Sequence, residues 1–522
     1  MPDDRLDTET ARTPTPPDGA RAAGRGGLAV AFAKIYFIVT GLVQQIALPR
    51  IIGLDGYGAL GTALSITSVT YNPVVGTSIQ GVSRAVARAP GSEAAALRRT
   101  LVLHIALSTA LAAAFFALAP KLAVVIGAPH VAGALRILSA VIFVYGMYTP
   151  LVGALNGKRR FLHQAGLDIA AATLRTVGLV TGAYALSNAA NSRLAGVEGA
   201  AWGFVVGAAL VFVVALAVVG VGRAGPGGPS VLRHLAFIAP LFVGQVLLNF
   251  LLQADLTLLR AFAAEAATKA GLSPMAADPY VGAYRATQLF SFLPYQLLIA
   301  VTFVLFPMLA SAGASRDRTN VKEYVATGLR LSLLIAGGMV SVTSGLAKPL
   351  LELVFGPEAA LHGARALSLL AVGFGAFAIF GILTTVLNSL GGELQSTLVT
   401  FTAAALVVLS CFLWVRDTPL SDELLLRTAT ATSVGIGLAT LAASVLVHRA
   451  AGGLVSPRVV LRVGAATLIA TVLGRFLSGA PTLLVPALAL LVGLTYAAVL
   501  VLTRELGASD LALVKRVLRR SA

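Results

Sequence analysis

Residues 199–221 read GAAWGFVVGAALVFVVALAVVGV, a run that contains no charged side chain. About 20 apolar residues are enough for a helix to cross the hydrocarbon core of a bilayer. Runs of this kind recur along the chain, in which 57% of the 522 residues are hydrophobic and 12% are charged. Only helices satisfy all their backbone polar groups within one lipid-embedded segment. The sequence therefore predicts an all-α polytopic membrane protein.

The apolar runs predict about fourteen transmembrane helices, which we number as spans 1 to 14. Polar, charged or glycine- and proline-rich stretches separate them, as expected of loops at the membrane surface. The predicted spans are 28–52, 57–84, 99–120, 131–155, 164–188, 197–221, 232–262, 280–310, 324–347, 363–390, 394–415, 423–447, 459–477 and 482–503.

The placement of basic residues predicts the orientation of the chain. Most of the 39 lysines and arginines, including Lys158, Arg159 and Arg160, fall in segments that are cytoplasmic if the N-terminus is inside. An even number of spans then places both termini in the cytoplasm. The net charge of +17 is explained by this topology and by anionic lipid headgroups, so no nucleic-acid partner is expected. Residues 1–27 are polar and predict a disordered cytoplasmic tail.

Short matches between the two halves of the chain indicate an internal repeat. Span 2 opens with YGA at 57–59 and span 8 with VGA at 281–283. Both spans carry a proline within the helix, Pro73 and Pro294. A repeat of six spans predicts parallel halves related by an axis along the membrane normal. We predict bundles at 28–225 and 226–450, followed by two further spans and a basic tail at 451–522; chance matches between apolar helices are the alternative.

Four stretches resemble a known family of membrane proteins. They are RIIGLDGYG at 50–58, QGVSR at 80–84, LNGKRRF at 155–161 and GVEGAAWG at 196–203. Together with the architecture, they resemble the polysaccharide transporter branch of the multidrug/oligosaccharidyl-lipid/polysaccharide flippase superfamily, over about residues 28–450.

The resemblance implies a V-shaped pair of six-helix bundles with spans 1, 2, 7 and 8 around a central cavity. It implies translocation of an undecaprenyl-pyrophosphate-linked oligosaccharide across the bacterial inner membrane by alternating access. Polysaccharide polymerases and glycosyltransferases are then the expected partners, besides membrane lipids. The arginine–aspartate pattern of lipid II flippases is missing after span 1, where residues 53–56 read GLDG. Lipid II is therefore the second substrate hypothesis.

Three amides form a polar stripe on the apolar span 7. Gln245, Asn249 and Gln253 lie four residues apart, so they share one face of the helix. This stripe favours a hydrated wall that binds sugars. The alternative is hydrogen bonding between packed helices, worth about 0.6 kcal/mol per contact. Asp255 follows the stripe two residues later.

Arg285 and Gln288 lie one turn apart in span 8 and are the leading candidates for substrate contact. A guanidinium can grip phosphate oxygens bidentately, so Arg285 is the predicted ligand of the pyrophosphate. Asp255 could hold Arg285 in place without substrate. The alternative is a purely structural ion pair between Arg285 and Asp255, or an arginine that marks the interface.

Spans 1 and 2 contribute the remaining candidates. Lys34 is a second cation, nearer the cytoplasm, which either binds phosphate or extends its charge to the membrane surface. Gln45 lies further along span 1, and Asn72 lies in the polar span 2 beside Pro73. Arg50 and Arg260 end spans 1 and 7, and either guard the outer mouth or anchor the helices at the interface.

Other function classes receive less support from the sequence. No phosphate-binding loop motif or zinc motif occurs, and we predict no cofactor, no metal site and no enzyme activity. A multidrug or cation antiporter of the same superfamily would need a buried acid, for which Asp255 is the candidate. A membrane-embedded polysaccharide polymerase or acyltransferase is opposed by the short outer loops.

Overall fold

The computed structural model describes residues 17–225, 228–298 and 318–507, and residues 302, 305 and 309 between the last two ranges. The described chain is helical, without strands. The helices are α1 (Pro17–Ala87), α2 (Glu93–Val125), α3 (Ala132–Gly157), α4 (Phe161–Ala190), α5 (Arg193–Val219), α6 (Val231–Lys269), α7 (Asp278–Ser291), α8 (Arg318–Gly345), α9 (Ala347–Phe355), α10 (Pro357–Ser389), α11 (Glu393–Trp414), α12 (Asp422–Ala451), α13 (Pro457–Phe476) and α14 (Val485–Leu502).

Twelve of the described helical segments are long and apolar enough to cross a membrane, which confirms the all-α polytopic class. The predicted count of about fourteen differs for two reasons. Spans 1 and 2 together make up α1 and are two helices that join at a kink at Gly53, where φ is 72° and ψ is 174°, so that they count as one segment. Span 8 begins as α7, and much of its remainder lies outside the described residues.

Two predicted loops are helical in part. Residues 17–27, expected in a disordered tail, belong to α1, whereas residues 1–16 lie outside the described chain, as does the C-terminal basic segment 508–522. The expected loop after span 9 contains the short helix α9. The sequence signal for α9 was weak because its nine residues include a proline and two charged side chains.

The helices before residue 220 pack mainly on one another, with close contacts made possible by glycines. A Cβ added to Gly178 on α4 would lie 2.1 Å from the backbone oxygen of Gly203 on α5. One turn away, Gly182 meets Gly199 in the same manner. Pairs of small residues four apart allow membrane helices to approach backbone to backbone.

The last two helices dock on α8 through polar contacts at the end of α14. The buried carboxylate of Glu505 accepts a hydrogen bond from Arg330 at 2.8 Å and one from Arg462 on α13 at 3.2 Å. On α14, the Tyr496 hydroxyl donates to the backbone oxygen of Leu334 at 2.8 Å. These bonds attach α13 and α14 to α8.

The predicted halves meet where α1 packs against α6 and α7. We call the end near Gly58 the outer end and the end near Arg84 the inner end, following the predicted orientation. A Cβ on Gly58 would lie 2.8 Å from the nitrogen of Gly282, and one on Gly282 would lie 3.2 Å from the nitrogen of Gly58. These glycines occupy equivalent positions of the YGA and VGA motifs. Such reciprocal contact is expected of residues beside a pseudo-two-fold axis.

Candidate functional site

A chain of hydrogen bonds connects Arg285 to the interior of the second half. Arg285 on α7 donates to Oε1 of Gln288 at 3.1 Å, and Gln288 donates to Oδ1 of Asp255 on α6 at 3.0 Å. The Tyr284 hydroxyl donates to the other oxygen of Asp255 at 2.8 Å. Gln288 thus lies between Arg285 and Asp255 as a relay, in place of the direct ion pair that the sequence left open.

Residues of α1 complete this group from the other half. The Tyr57 hydroxyl donates to Oε1 of Gln45 at 2.5 Å and lies within electrostatic range of Arg285. Gly61 faces the Arg285 side chain, since a Cβ there would lie 3.4 Å from its Cγ. We call Gln45, Tyr57, Asp255, Arg285 and Gln288 the central polar cluster.

Differences in burial distinguish the residues of the cluster that position a neighbour from those that can contact a ligand. Asp255 and Gln288 are each 1% exposed, whereas Arg285 and Gln45 are only partly buried. The carboxylate is therefore committed to positioning Gln288, which in turn orients Arg285. The partly exposed guanidinium remains the group of the cluster that can meet an anion.

The amide stripe of α6 lies against α1 along the seam between the halves. Asn72 donates to Oδ1 of Asn249 at 2.9 Å, and Asn249 donates to the backbone oxygen of Gln245 at 2.8 Å. A Cβ on Gly76 would lie 3.4 Å from Cδ of Gln245, so this contact is close as well. The buried Oε1 of Gln253 accepts no hydrogen bond from the described residues.

In this structure α1 packs against the amide face that the sequence predicted to be a hydrated wall. The alternative that the sequence left open, hydrogen bonding between packed helices, describes the Asn72–Asn249 contact. Sequence periodicity identified the common face of the amides but could not reveal that α1 covers it. Whether the amides contact substrate when the seam opens stays a prediction.

Lys34 has a partner that the sequence did not assign to it. Its ammonium lies 3.5 Å from a carboxylate oxygen of Asp168 on α4, and its side chain is 58% exposed. The available signal was an aspartate in a mostly apolar span, whose own Arg175 lies two turns away, so that Asp168 requires a cationic partner from another helix. Lys34 therefore carries an ion pair and retains an accessible charge.

The outer end contains a buried cluster of charged residues around Arg260, whose partners were not predicted from the sequence. Arg260, expected at the outer mouth or interface, is fully buried. It donates to the backbone oxygens of Gly127, from the first half, at 2.9 Å and of Pro274 at 3.0 Å. Asp278 lies 3.5 Å from Arg260 and 2.9 Å from the ring of His130, also from the first half. We call these five residues the outer clamp.

Two histidines meet across the inner part of the seam. Nε2 of His104 on α2 lies 3.3 Å from Nε2 of His234 on α6, and both side chains are buried. Nδ1 of His104 lies 3.0 Å from the Ser78 hydroxyl on α1. The cation–π contact between Arg84 and Phe237, at 3.9 Å, continues the seam towards the inner end.

Comparison with known structures identifies the fold. The structure is similar to that of a lipid II flippase, MurJ, in an inward closed conformation: the TM-score is 0.71 at 13% identity, with 92% of this chain and 99% of that chain covered. It is similar to a multidrug-resistance MATE transporter in an inward-facing conformation, with TM-score 0.65, 15% identity and coverage of 80% and 94%. It is also similar to a MATE transporter in an outward-facing conformation, with a TM-score of 0.57 at 15% identity; 83% of this chain and 96% of that chain are covered.

Sequence comparison assigns the family. No curated protein sequence matches the chain. The model of the family described as polysaccharide biosynthesis protein matches residues 47–358, more than half of the chain. The chain therefore belongs to the polysaccharide biosynthesis protein family, and its fold is that of the multidrug/oligosaccharidyl-lipid/polysaccharide flippase superfamily.

Proposed function

We propose that the protein is a flippase that moves undecaprenyl-pyrophosphate-linked oligosaccharides across the bacterial inner membrane by alternating access. The observation that carries the proposal is the central polar cluster, in which Arg285 of one half faces Tyr57 and Gln45 of the other. A charged group inside a membrane protein is costly and usually faces a partner or a cavity. A pyrophosphate bound to Arg285 would touch both halves at once.

The seam supplies the groups that the sugars would need. When the halves separate, the amides of Asn72 and Asn249 lose each other as partners, and sugar hydroxyls can replace the lost hydrogen bond. The side-chain oxygen of Gln253, which accepts no hydrogen bond from the described residues, and the amide of Gln245 lie on the same face of α6. Lys34 would exchange Asp168 for the phosphate nearer the cytoplasm.

The closed outer end supports an inward-oriented starting point. The outer clamp and the Gly58–Gly282 contact join the halves at the outer end. The TM-score against the inward-facing MATE transporter, 0.65, exceeds that against the outward-facing one, 0.57. The substrate would enter from the cytoplasmic leaflet, and opening of the outer end would release it.

Replacement of the cluster arginine tests this proposal. We expect Arg285→Ala to abolish polysaccharide export in a deletion strain while the protein still inserts in the membrane. Arg285→Lys should retain part of the export, because an ammonium binds phosphate as a point charge without the bidentate geometry. Arg449→Ala, at an exposed arginine near the end of α12, is the matched control. Wild-type export by Arg285→Ala at equal protein abundance would refute the assignment.

The second candidate substrate is lipid II. The similarity to the lipid II flippase covers 99% of that chain, including its C-terminal part. Complementation distinguishes the two candidates: restored growth of a strain depleted of its lipid II flippase supports lipid II. Restored surface polysaccharide, without such growth, supports the oligosaccharide. In either case, the expected activity is transport and not catalysis, and polymerases and glycosyltransferases would act before and after it.

A further inference from the structure

We propose that the inner end carries a separate binding site for a phosphate- or pyrophosphate-bearing ligand. Two adjoining cavities of about 580 and 450 Å³ lie there between α1, α2, α6 and the segment that joins α5 to α6. Both are bordered by Pro229 and His234. This site is independent of which molecule the flippase carries, and it shares no residue with the central polar cluster.

The charge around the two cavities has one sign. We call their basic residues the basic vestibule: Arg98, Arg99 and Arg223 around the larger cavity, and Arg84, Arg88 and Arg233 around the smaller one. None of the described residues that line either cavity is acidic. Crowded guanidinium groups repel one another, and a multivalent anion relieves the repulsion. Phosphate oxygens are also the acceptors that the arginine fork fits best.

The segment between α5 and α6 is built to hold one wall of the vestibule. Gly222 has φ +74°, and a Cβ there would lie 2.2 Å from the backbone oxygen of Ala94. Gly228 has φ +84° and would place a Cβ 2.9 Å from Cα of Ala96. These contacts hold Gly222 and Gly228 against α2, and Arg223 directly follows the first of them.

The orientation of the arginines is also constrained. The Arg84 guanidinium lies 3.9 Å above the Phe237 ring, and Arg99 donates to the backbone oxygen of Gly225 at 3.4 Å. On the membrane side, the larger cavity is bordered by the exposed apolar side chains of Val102 and Val231. An arginine-lined cavity with an apolar flank suits a phosphate at the membrane surface, on a lipid headgroup or on a soluble molecule.

The vestibule adjoins the seam between the halves. His234, which borders both cavities, belongs to α6 and contacts His104 on α2. A bound anion would therefore contact both halves and favour the conformation in which this part of the seam is closed. Binding of an anion in the basic vestibule should therefore stabilise the protein against unfolding.

The experiment uses full-length protein in phosphatidylcholine nanodiscs. In one arm, inorganic pyrophosphate is titrated by calorimetry; in the other, phosphatidic acid replaces part of the lipid and the thermal unfolding midpoint is measured. We expect a response in at least one arm, and the responding arm identifies the soluble or the lipid source. If neither the calorimetric titration nor the unfolding midpoint shows a response, the proposal is overturned.

Charge-matched variants separate the vestibule from the general surface charge. Arg98→Gln/Arg99→Gln/Arg223→Gln should weaken the response about tenfold or more, because three charge-assisted hydrogen-bond donors are lost. Lys158→Gln/Arg159→Gln/Arg160→Gln removes the same charge outside both cavities and should retain binding. An equal loss in the two variants overturns the proposal. In an Arg285→Ala background, Arg98→Gln/Arg99→Gln/Arg223→Gln should still weaken the remaining response, so that a failure of the transport proposal remains distinguishable.

Discussion

The outer end and the centre of the seam hold the halves together by different chemistry. At the outer end, the fully buried Arg260 connects backbone oxygens of both halves and is accompanied by Asp278 and His130. At the centre, the contact is between neutral groups, the Asn72–Asn249 amides. A buried charge that loses its partners is far more costly than a broken amide contact. The outer end is therefore the stronger barrier to separation of the halves.

Removal of the clamp arginine is expected to have the largest effect. Arg260→Ala removes the donor to two backbone oxygens and leaves the buried Asp278 without the guanidinium that lies 3.5 Å away, which should lower stability by about 3–5 kcal/mol. Thermal unfolding in detergent measures the loss. Arg193→Ala removes an arginine from the exposed ion pair with Asp55 and should cost only about 0–1 kcal/mol. Equal losses would show that the clamp does not differ from a surface ion pair.

A methyl group between the halves tests the outer contact by steric means. A Cβ on Gly58 would lie 2.0 Å from the backbone oxygen of Asp278, so Gly58→Ala forces the outer ends apart. Overpacking of this kind costs about 1–3 kcal/mol. Labelling of introduced outer-end cysteines by a membrane-impermeant reagent should rise. Gly41→Ala, also on α1, meets no atom within 4 Å and should leave labelling unchanged; equal labelling of both variants would contradict the expected separation.

The amide contact of the seam should contribute least. A double-mutant cycle of Asn72→Leu and Asn249→Leu is expected to give a coupling of about 0.6 kcal/mol, the mean for hydrogen bonds between membrane helices. The free energies of unfolding of the wild type, the two single variants and the double variant, in detergent or lipid, give this coupling. A coupling of several kcal/mol would place the strength of the seam at its centre and reverse the comparison between the two regions.

The sequence predicted most of the fold because lipid imposes one rule on every span. Inside lipid, an apolar run of sufficient length must form a helix, so α5 and α14 could be predicted from composition alone. The proposed repeat also predicted Gly58 and Gly282 as equivalent positions, and the structure places them in contact. The direct junction of spans 1 and 2 was not predicted, because a kink at the positive-φ Gly53 takes the place of the expected loop.

Most members of the candidate site stand out in the sequence, but their contact partners do not. Polar residues in apolar spans stand out, and Arg285, Gln288, Asp255 and Asn249 were found by that signal. The helix that each side chain faces depends on packing between distant segments, which periodicity does not encode. Tyr57 was missed because an aromatic residue near a helix end is ordinary in a membrane protein.

The central claim is that the halves separate at the outer end during transport. Ser65 on α1 and Thr257 on α6 have hydroxyl oxygens 3.3 Å apart, so Ser65→Cys/Thr257→Cys can form a disulfide across the seam. The native Cys411 is buried and should not interfere. In proteoliposomes with a fluorescent lipid-linked oligosaccharide, we expect translocation by the reduced protein, loss on oxidation and recovery with reductant. Undiminished translocation by fully crosslinked protein would contradict the account.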